Sequence, residues 1–310
     1  MSTHRCETLI EKAFLALADI AQRDVSLAGH TTYRVGGAAA ILVRPRNEAD
    51  LVRIARVCRE SRLAPLVVGR GSNMLVADEG FSGIAISLVS LATAIDIDGA
   101  VVRAGAAVAL PQLARRLAAA SLTGFEWAVG VPGSIGGAVR MNAGGHGSDI
   151  SASLIAARIF DFRSESVSVI AASALGLRFR SSDLTDEQIV LDARLQLKPG
   201  DRDCSEQLID DIVKWRRENQ PGGQNAGSVF VNPIPGELSA GELIDRVGLR
   251  GMRLGSATVS AKHANFIQGS DNGTAGDVRA LIDFVRQRVF DETGFMLRSE
   301  VRLVGFGGDE

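Results

Sequence analysis

The densest chemistry-bearing feature of the sequence is glycine, gathered in two clusters with polar residues between. The first is Val67-Val68-Gly69-Arg70-Gly71-Ser72-Asn73, directly after a short apolar run. The second runs from Gly130 to Gly147 and holds Val131, Pro132, Gly133, Ser134, Gly136, Gly137, Ala138, Asn142 and Ala143. Glycine reaches φ > 0 and lets backbone approach a ligand, and successive N–H groups in such turns form an anion-binding concavity. An interior glycine also costs about 0.5–1 kcal/mol relative to alanine, so a fold that keeps this many needs backbone close to something flat or phosphorylated. Ser72, Asn73, Ser134 and Asn142 add polar groups suited to a pyrophosphate or the edge of a ring. Taken alone, the first cluster also fits a plain strand-to-turn connection. It is not a Rossmann fingerprint, because Met74 stands where the third glycine belongs and Leu75–Gly80 reads as strand and turn. Two such loops in one chain favour a dinucleotide site.

Strand and helix signals alternate around these loops, without repeats or low-complexity tracts. Cys6 to Gln22 shows helical periodicity, and Ala39–Val43 reads as a strand. Asn47 is an N-cap for a helix with Leu51, Ile54, Ala55 and Cys58 on one face. Leu66–Val68 and Ile84–Leu88 read as buried strands, and Asp98-Gly99 signals a hairpin. A helix over Leu110–Ala120 and strands over Leu154–Phe162, Val167–Ile170 and Ile189–Leu197 follow, up to a boundary at Lys198-Pro199-Gly200. Helices over Glu206–Glu218 and Gly241–Val247 come next, then a long one opened by Thr274 and Asp277, and a last strand over Met296–Val304. This is an α+β chain.

Composition excludes several classes. With 46% hydrophobic and 23% charged residues and a net charge of −2, nothing calls for nucleic acid or an anionic membrane as partner. Aromatics at 5% offer no platform for stacking bases. No window approaches the roughly 18 apolar residues of a membrane span, and the charged N-terminus suits an amphipathic helix and not a secretory signal. Cys6, Cys58 and Cys204 have no metal-ligand spacing, so no metal is expected and a reducing cytoplasm is.

In this order the motifs resemble one family, the UDP-N-acetylenolpyruvoylglucosamine reductases of peptidoglycan synthesis. They are His30-Thr-Thr-Tyr-Arg-Val-Gly-Gly37, Gly69-Arg-Gly-Ser-Asn73, Gly124-Phe-Glu-Trp127, Val131-Pro-Gly-Ser-Ile-Gly-Gly137 with Met141-Asn-Ala-Gly144, and Phe179-Arg-Ser-Ser182. Gln220-Pro221, Ala226-Gly-Ser-Val-Phe230 with Asn232-Pro233, Lys262-His-Ala-Asn-Phe266 and Ser299-Glu-Val-Arg302 complete the set, from about His30 to Gly305.

The resemblance implies a two-part FAD-binding region of the vanillyl-alcohol-oxidase type plus a C-terminal α+β substrate-binding domain. The layout it implies is 1–29 as an N-terminal helical segment, 30–199 as the FAD domain and 200–310 as the substrate domain. FAD would lie non-covalently against Gly69, Arg70, Gly71, Ser72 and Asn73 and against Val131–Ala143, with Arg34, Gly36 and Gly37 framing that region. By the same resemblance Arg180, Ser228 and Glu300 carry the chemistry, and Asn232, Lys262 and His263 help hold the UDP-sugar. NADPH would be the hydride donor. With no second dinucleotide motif, NADPH and the sugar would use one pocket in turn. His146, the histidine of the second cluster, reads as structural.

Two departures stand out. Phe179 replaces the tyrosine common before Arg180, and Val231 stands where a lysine often follows the Gly-Ser-x-Phe stretch. Only Ser181–Gln188 separate Arg180 from the next strand, which resembles the branch lacking an inserted tyrosine-bearing loop. Two other readings keep the glycine loops: an FAD oxidase or dehydrogenase of a small alcohol, and a flavin-binding module without catalysis.

Overall fold

A computed structural model describes residues 3–234 and 236–307. The chain divides into two compact units, each built from separate segments. Unit 1 joins residues up to Val25, Ala40–Arg70 and Ser82–Trp215; unit 2 joins Ser26–Ala39, Gly71–Phe81 and residues from Arg216 onward. This division does not follow contiguous blocks. Most of the helix after Lys198 stays with unit 1, and two short segments from the N-terminal half belong to unit 2.

Unit 1 holds two sheets over one apolar core. In the first sheet the strand order is Ala21–Ser26, Ala38–Val43, Phe81–Ile86, Pro65–Val67, the last pair being parallel. Helix α1 (Thr3–Ala16) and helix α2 (Glu48–Ser61) pack together. Asn47 caps α2 as expected, its side chain accepting from Asp50 N at 2.9 Å. Such a cap is worth about 1 kcal/mol. Leu51, Ile54, Ala55 and Cys58 are buried on the face the spacing predicts. Each of the larger side chains contributes about 1.5–3 kcal/mol by leaving water.

Helix α1 stops short of Gln22. Leu17 and Ile20 are buried and keep the apolar rhythm, but they lie in turns closed by Leu17 N to Phe14 O and Ile20 N to Leu17 O. Beyond them Ala21–Ser26 is a strand. Burial spacing continued where the helix did not.

The second sheet of unit 1 is antiparallel throughout, in the order Ser166–Ala171, Leu154–Asp161, Gln188–Gln196, Val101–Gly105, Ile95–Asp98. The hairpin read from Asp98-Gly99 closes with Asp98 opposite Val101 and Gly99 at φ +55°. Helix α3 (Leu110–Ala119) buries Leu110, Leu113, Ala114, Leu117 and Ala118, a clean helical stripe. Helix α4 (Ile135–Met141) was hidden in the sequence by its glycines, yet Ile135, Ala138 and Val139 are buried at helical spacing. It packs on the Gln188–Gln196 strand. Helix α5 (Arg202–Asn219) follows.

Unit 2 has its own core, including Tyr33, Leu75, Val229, Phe230, Ile244 and Ile282. Helix α6 (Ala240–Arg246) packs against helix α7 (Ala275–Thr293), which packs on a small antiparallel sheet of Arg253–Leu254, Ala257–Val259 and Ile267–Gln268. Thr274 caps α7 through Asp277 N at 3.1 Å. The Asp78 carboxylate adds a second cap, accepting from Ala275 N and Gly276 N at 2.8 Å each. The closing strand is shorter than Met296–Val304: only Arg302–Val304 forms a ladder, parallel to Met74–Val76. Upstream of it side chains and single bridges replace the ladder. Cys58 is a buried free thiol and Cys204 an exposed one, while the Cys6 side chain lies outside the described residues.

Candidate active site

In unit 1 the two glycine clusters meet. A Cβ built on Gly69 would stand 2.8 Å from Ser134 Oγ, and one built on Gly137 would stand 3.7 Å from the same oxygen. Ser134 is 4% exposed and occupies the N-cap of α4, yet its hydroxyl does not cap that helix. Gly136 serves packing, since its Cβ would come within 2.9 Å of Ala106 Cβ. Backbone bonds from Ile135 N to Val108 O and Gly136 N to Ala106 O, and from Leu110 N to Gly133 O, fix the loop. Gly69 and Gly137 thus both face the buried Ser134 hydroxyl with no side chain of their own, and Gly133 adjoins Ser134 in sequence. Such bare backbone fits what a dinucleotide requires, and Arg70 follows Gly69, exposed.

Arg180 sits at the tip of a two-residue turn closed by Arg178 N to Ser181 O at 2.9 Å and Ser181 N to Arg178 O at 3.1 Å. Its φ is +55°, a conformation that favours glycine or asparagine in such turns. The surroundings hold it there. Arg180 Nη2 donates to Gly144 O at 2.8 Å, and the guanidinium lies 4.9 Å from the Phe179 ring centroid. The ring that replaces tyrosine is 54% exposed and serves as a cation–π base for the arginine.

Asn142 secures that turn. It is 4% exposed at the left-handed C-cap of α4, and its Nδ2 donates to Arg178 O at 3.1 Å. Its Nδ2 also reaches Asp149 Oδ2, and its Oδ1 accepts from Ser151 N. The Asn142 amide, one of the groups expected to face pyrophosphate, is therefore engaged by protein. Val131, Pro132, Ala138 and Ala143 supply backbone to the same loop, Ala143 O accepting from Ile150 N.

In unit 2, the other glycines expected beside the cofactor face protein. A Cβ on Gly71 (φ +58°) would stand 2.1 Å from His30 O, one on Gly36 2.3 Å from Val76 O, and one on Gly37 2.3 Å from Asp78 O. Protein backbone is enough to require glycine at all three. Arg34 is exposed at φ +55°, and Ser72 is half-buried.

The segments that carry Ser228 and Glu300 are joined by backbone bonds. Glu300 N donates to Val229 O at 2.7 Å, Val231 N donates to Arg298 O at 2.9 Å, and Phe230 bridges Ser299. Asn73 Nδ2 donates to Glu300 O at 2.8 Å, and Asn73 O accepts from Arg302 N at 3.0 Å. The asparagine that closes the first glycine cluster thus fixes the carbonyl of Glu300. Ser228 and Glu300 are both half-buried.

The sequence pattern of the UDP-N-acetylenolpyruvoylglucosamine reductase C-terminal domain matches residues 219–304, and that of an FAD binding domain matches residues 39–167. UDP-N-acetylenolpyruvoylglucosamine reductase of Heliobacterium modesticaldum is 42% identical over 91% of this chain and 90% of its own length. The Gloeobacter violaceus protein of the same name is 40% identical over 94% of this chain and 98% of its own. This chain belongs to the UDP-N-acetylenolpyruvoylglucosamine reductase family. The crystal structure of the Thermus caldophilus reductase superposes with a TM-score of 0.79 at 33% identity, over 92% of this chain and 98% of that one.

The three residues assigned to the sugar in this reductase-family chain have local partners. Asn232 Oδ1 accepts from Ala240 N at 3.1 Å, at the start of α6. Exposed Lys262 donates through Nζ to Arg217 O in the last turn of α5. His263 accepts at Nδ1 from Asn265 N at 3.3 Å and packs against Phe266. Burial, reinforced by the Arg250 charge, pulls the His263 pKa down.

Two residues of the family motifs had no role assigned from sequence. Glu126 is buried; burial pulls its pKa up, but bonds from Ser205, Thr123 and Gly124 outweigh this and leave it lowered. Asn265 is 3% exposed and bonds the segment after Ser228. The signal in the sequence is its place inside Lys262-His-Ala-Asn-Phe266, beside two more conspicuous basic residues.

Proposed function

We propose that this chain reduces the enolpyruvyl group of UDP-N-acetylenolpyruvoylglucosamine to give UDP-N-acetylmuramate, a step of peptidoglycan precursor synthesis. FAD, when bound, supplies transfer of a hydride from NADPH to the enolpyruvyl double bond. Gly69, Gly133, Ser134 and Gly137 of unit 1 offer the bare backbone that would hold it, and the resemblance adds Arg34 and Gly71–Asn73 of unit 2. Residues 30–199 take the cofactor in this reading and residues 200–310 the sugar.

Hydride addition at the terminal carbon leaves negative charge on the carbon bearing the carboxylate. That charge spreads into the carboxylate and needs cationic and hydrogen-bonding support. Arg180 supplies a permanent planar charge matched to a carboxylate. Ser228 delivers the proton: its O–H bond breaks, a C–H bond forms at the charged carbon, and the oxygen recovers a proton from solvent. Serine is a weak acid, but position counts for more than acidity against so strong a base. Glu300 in its acid form donates to the enolate oxygen. Lys262 and His263 add support for the UDP phosphates, and NADPH and the sugar use one pocket in turn.

The observation that carries this reading is the 2.7 Å bond from Glu300 N to Val229 O, which places the backbone of Glu300 beside the residue that follows Ser228. Among the described residues no helix is long and apolar enough to cross a membrane; action in the cytoplasm is part of the proposal. Purified protein mixed with NADPH and the enolpyruvyl UDP-sugar should consume NADPH only when both FAD and sugar are present. Sugar-independent consumption, or turnover of small alcohols with oxygen, would point to the oxidase reading instead.

A further inference from the structure

The backbone on either side of Val229 does something a regular strand does not. In an extended strand the N–H and C=O of one residue point to the same side. Val229 O accepts from Glu300 N, yet Val229 N donates the other way, to Asn265 O at 2.9 Å. The next residue is regular in this respect: Phe230 N donates to Asn265 Oδ1 at 3.0 Å, and Phe230 O accepts from Asn265 Nδ2 at 2.8 Å. The N–H groups of Val229 and Phe230 therefore both reach Asn265, where successive N–H groups of a strand would diverge. The peptide plane between Ser228 and Val229 is turned over, and Asn265 holds it turned.

Asn265 is built for this. One residue presents three groups in a row, its own carbonyl and both ends of its side-chain amide, and so replaces a strand neighbour. The amide orientation is fixed by its partners, since Phe230 N–H needs an acceptor and Phe230 C=O needs a donor. At 3% exposure no water competes freely for these bonds. Aspartate has the shape but no donor for Phe230 O, glutamine is a methylene too long, and serine or alanine cannot span both atoms. His263 anchors the asparagine from behind, its Nδ1 accepting from Asn265 N.

We propose that Asn265 is a positioning residue for Ser228: by fixing the Ser228–Val229 peptide plane it aims the serine hydroxyl at the carbon to be protonated. The proposal rests on the reading of Ser228 as proton donor. A misplacement of about 1 Å costs on the order of 10²-fold in rate, so loss of this clamp should act on the protonation and spare the reduction of flavin by NADPH.

The test is a kinetic double-mutant cycle on FAD-loaded enzyme, using Asn265→Ala and the near-isosteric Asn265→Asp, each alone and combined with Ser228→Ala. Flavin reoxidation by the enolpyruvyl UDP-sugar and flavin reduction by NADPH are followed separately by stopped flow. Either Asn265 variant should slow reoxidation by about 10–100-fold with reduction near normal. On the Ser228→Ala background the same change should add less than about twofold, because its route of action is already gone. The lactyl product of the Asn265 variants should also lose stereochemical purity, as water protonates the carbon from both faces. Asn265→Asp covers the case in which the alanine variant does not fold.

The outcomes separate the two claims. If Ser228→Ala reoxidises at the normal rate, the donor assignment falls and the role of Asn265 falls with it. If Ser228→Ala is slow but the Asn265 variants behave as wild type, or slow both backgrounds equally, Asn265 is only a packing residue and the donor assignment stands.

Discussion

Gly69 lies against Ser134 so closely that a Cβ on the glycine would stand 2.8 Å from the serine Oγ, bringing together two glycine clusters far apart in the sequence. The atom in the way is a hydroxyl that can rotate, so the fold should tolerate a methyl group there while a ligand on that surface should not. Gly71 is different: its Cβ would meet the His30 carbonyl at 2.1 Å, in a backbone conformation at φ +58°.

Gly69→Ala should therefore weaken FAD binding at least about tenfold with less than about 1 kcal/mol lost in stability. Gly71→Ala should lose about 1–3 kcal/mol through strain alone. Flavin titration and thermal melting of the apoprotein separate the two. Equal behaviour of the variants in both assays would show that the Gly69–Ser134 contact has no special relation to the cofactor.

Arg180→Lys keeps a positive charge but loses the planar fork and its placement between Gly144 O and the Phe179 ring. Turnover of the sugar should fall by about 10–100-fold while NADPH still reduces the flavin at a normal rate. Wild-type turnover would remove Arg180 from the chemistry.

Acid stability should report on His263. Burial and the Arg250 charge lower its folded pKa, so between the unfolded value of about 6.5 and that lower value the unfolded chain binds more protons. Stability is then full above about pH 6.5 and falls as the solution is acidified through that window. Melting temperatures between about pH 7.5 and 5.5 should drop more steeply for the wild type than for His263→Gln, which has no imidazole to protonate. Parallel curves would mean that His263 titrates normally.

Much of the frame was legible because it follows simple rules. Asn47, Thr274 and the Asp98-Gly99 hairpin behave as their types dictate, and α2, α3 and α7 bury the stripes their spacing announces. The misses have a common cause: long-range partners override local pattern. Glycines masked α4, whose Gly136 exists to let the helix approach Ala106. Alternation from Met296 to Val304 suggested one strand, but the Asn73 side chain and the Val229 backbone take the place of ladder neighbours around Glu300. Asn73 and Asn142 look like ligand-binding amides in sequence; only the fold shows their bonds to Glu300 O and Arg178 O.

Glu126 tests whether the family motif Gly124-Phe-Glu-Trp127 is scaffold. Its carboxylate accepts from Ser205 Oγ at 2.6 Å, Thr123 Oγ1 at 2.7 Å and Gly124 N at 2.9 Å. Glu126→Ala leaves these donors without their buried acceptor and should cost about 2–4 kcal/mol, read from chemical denaturation. Activity per folded molecule should stay near normal; a specific loss of turnover in folded enzyme would place Glu126 in the reaction instead.

The central claim is that Ser228 delivers the proton, and Ser228→Ala examined by half-reactions tests it most directly. A positioned donor is worth about 10²–10⁴-fold, and alanine removes the hydroxyl without adding bulk, so binding of the UDP-sugar should change little. Stopped-flow mixing of pre-reduced variant with the enolpyruvyl UDP-sugar should show flavin reoxidation slowed by that factor, while NADPH bleaches the oxidised variant at a near-normal rate. Equal slowing of both half-reactions, or of neither, would contradict the account and leave protonation to Glu300 or to water.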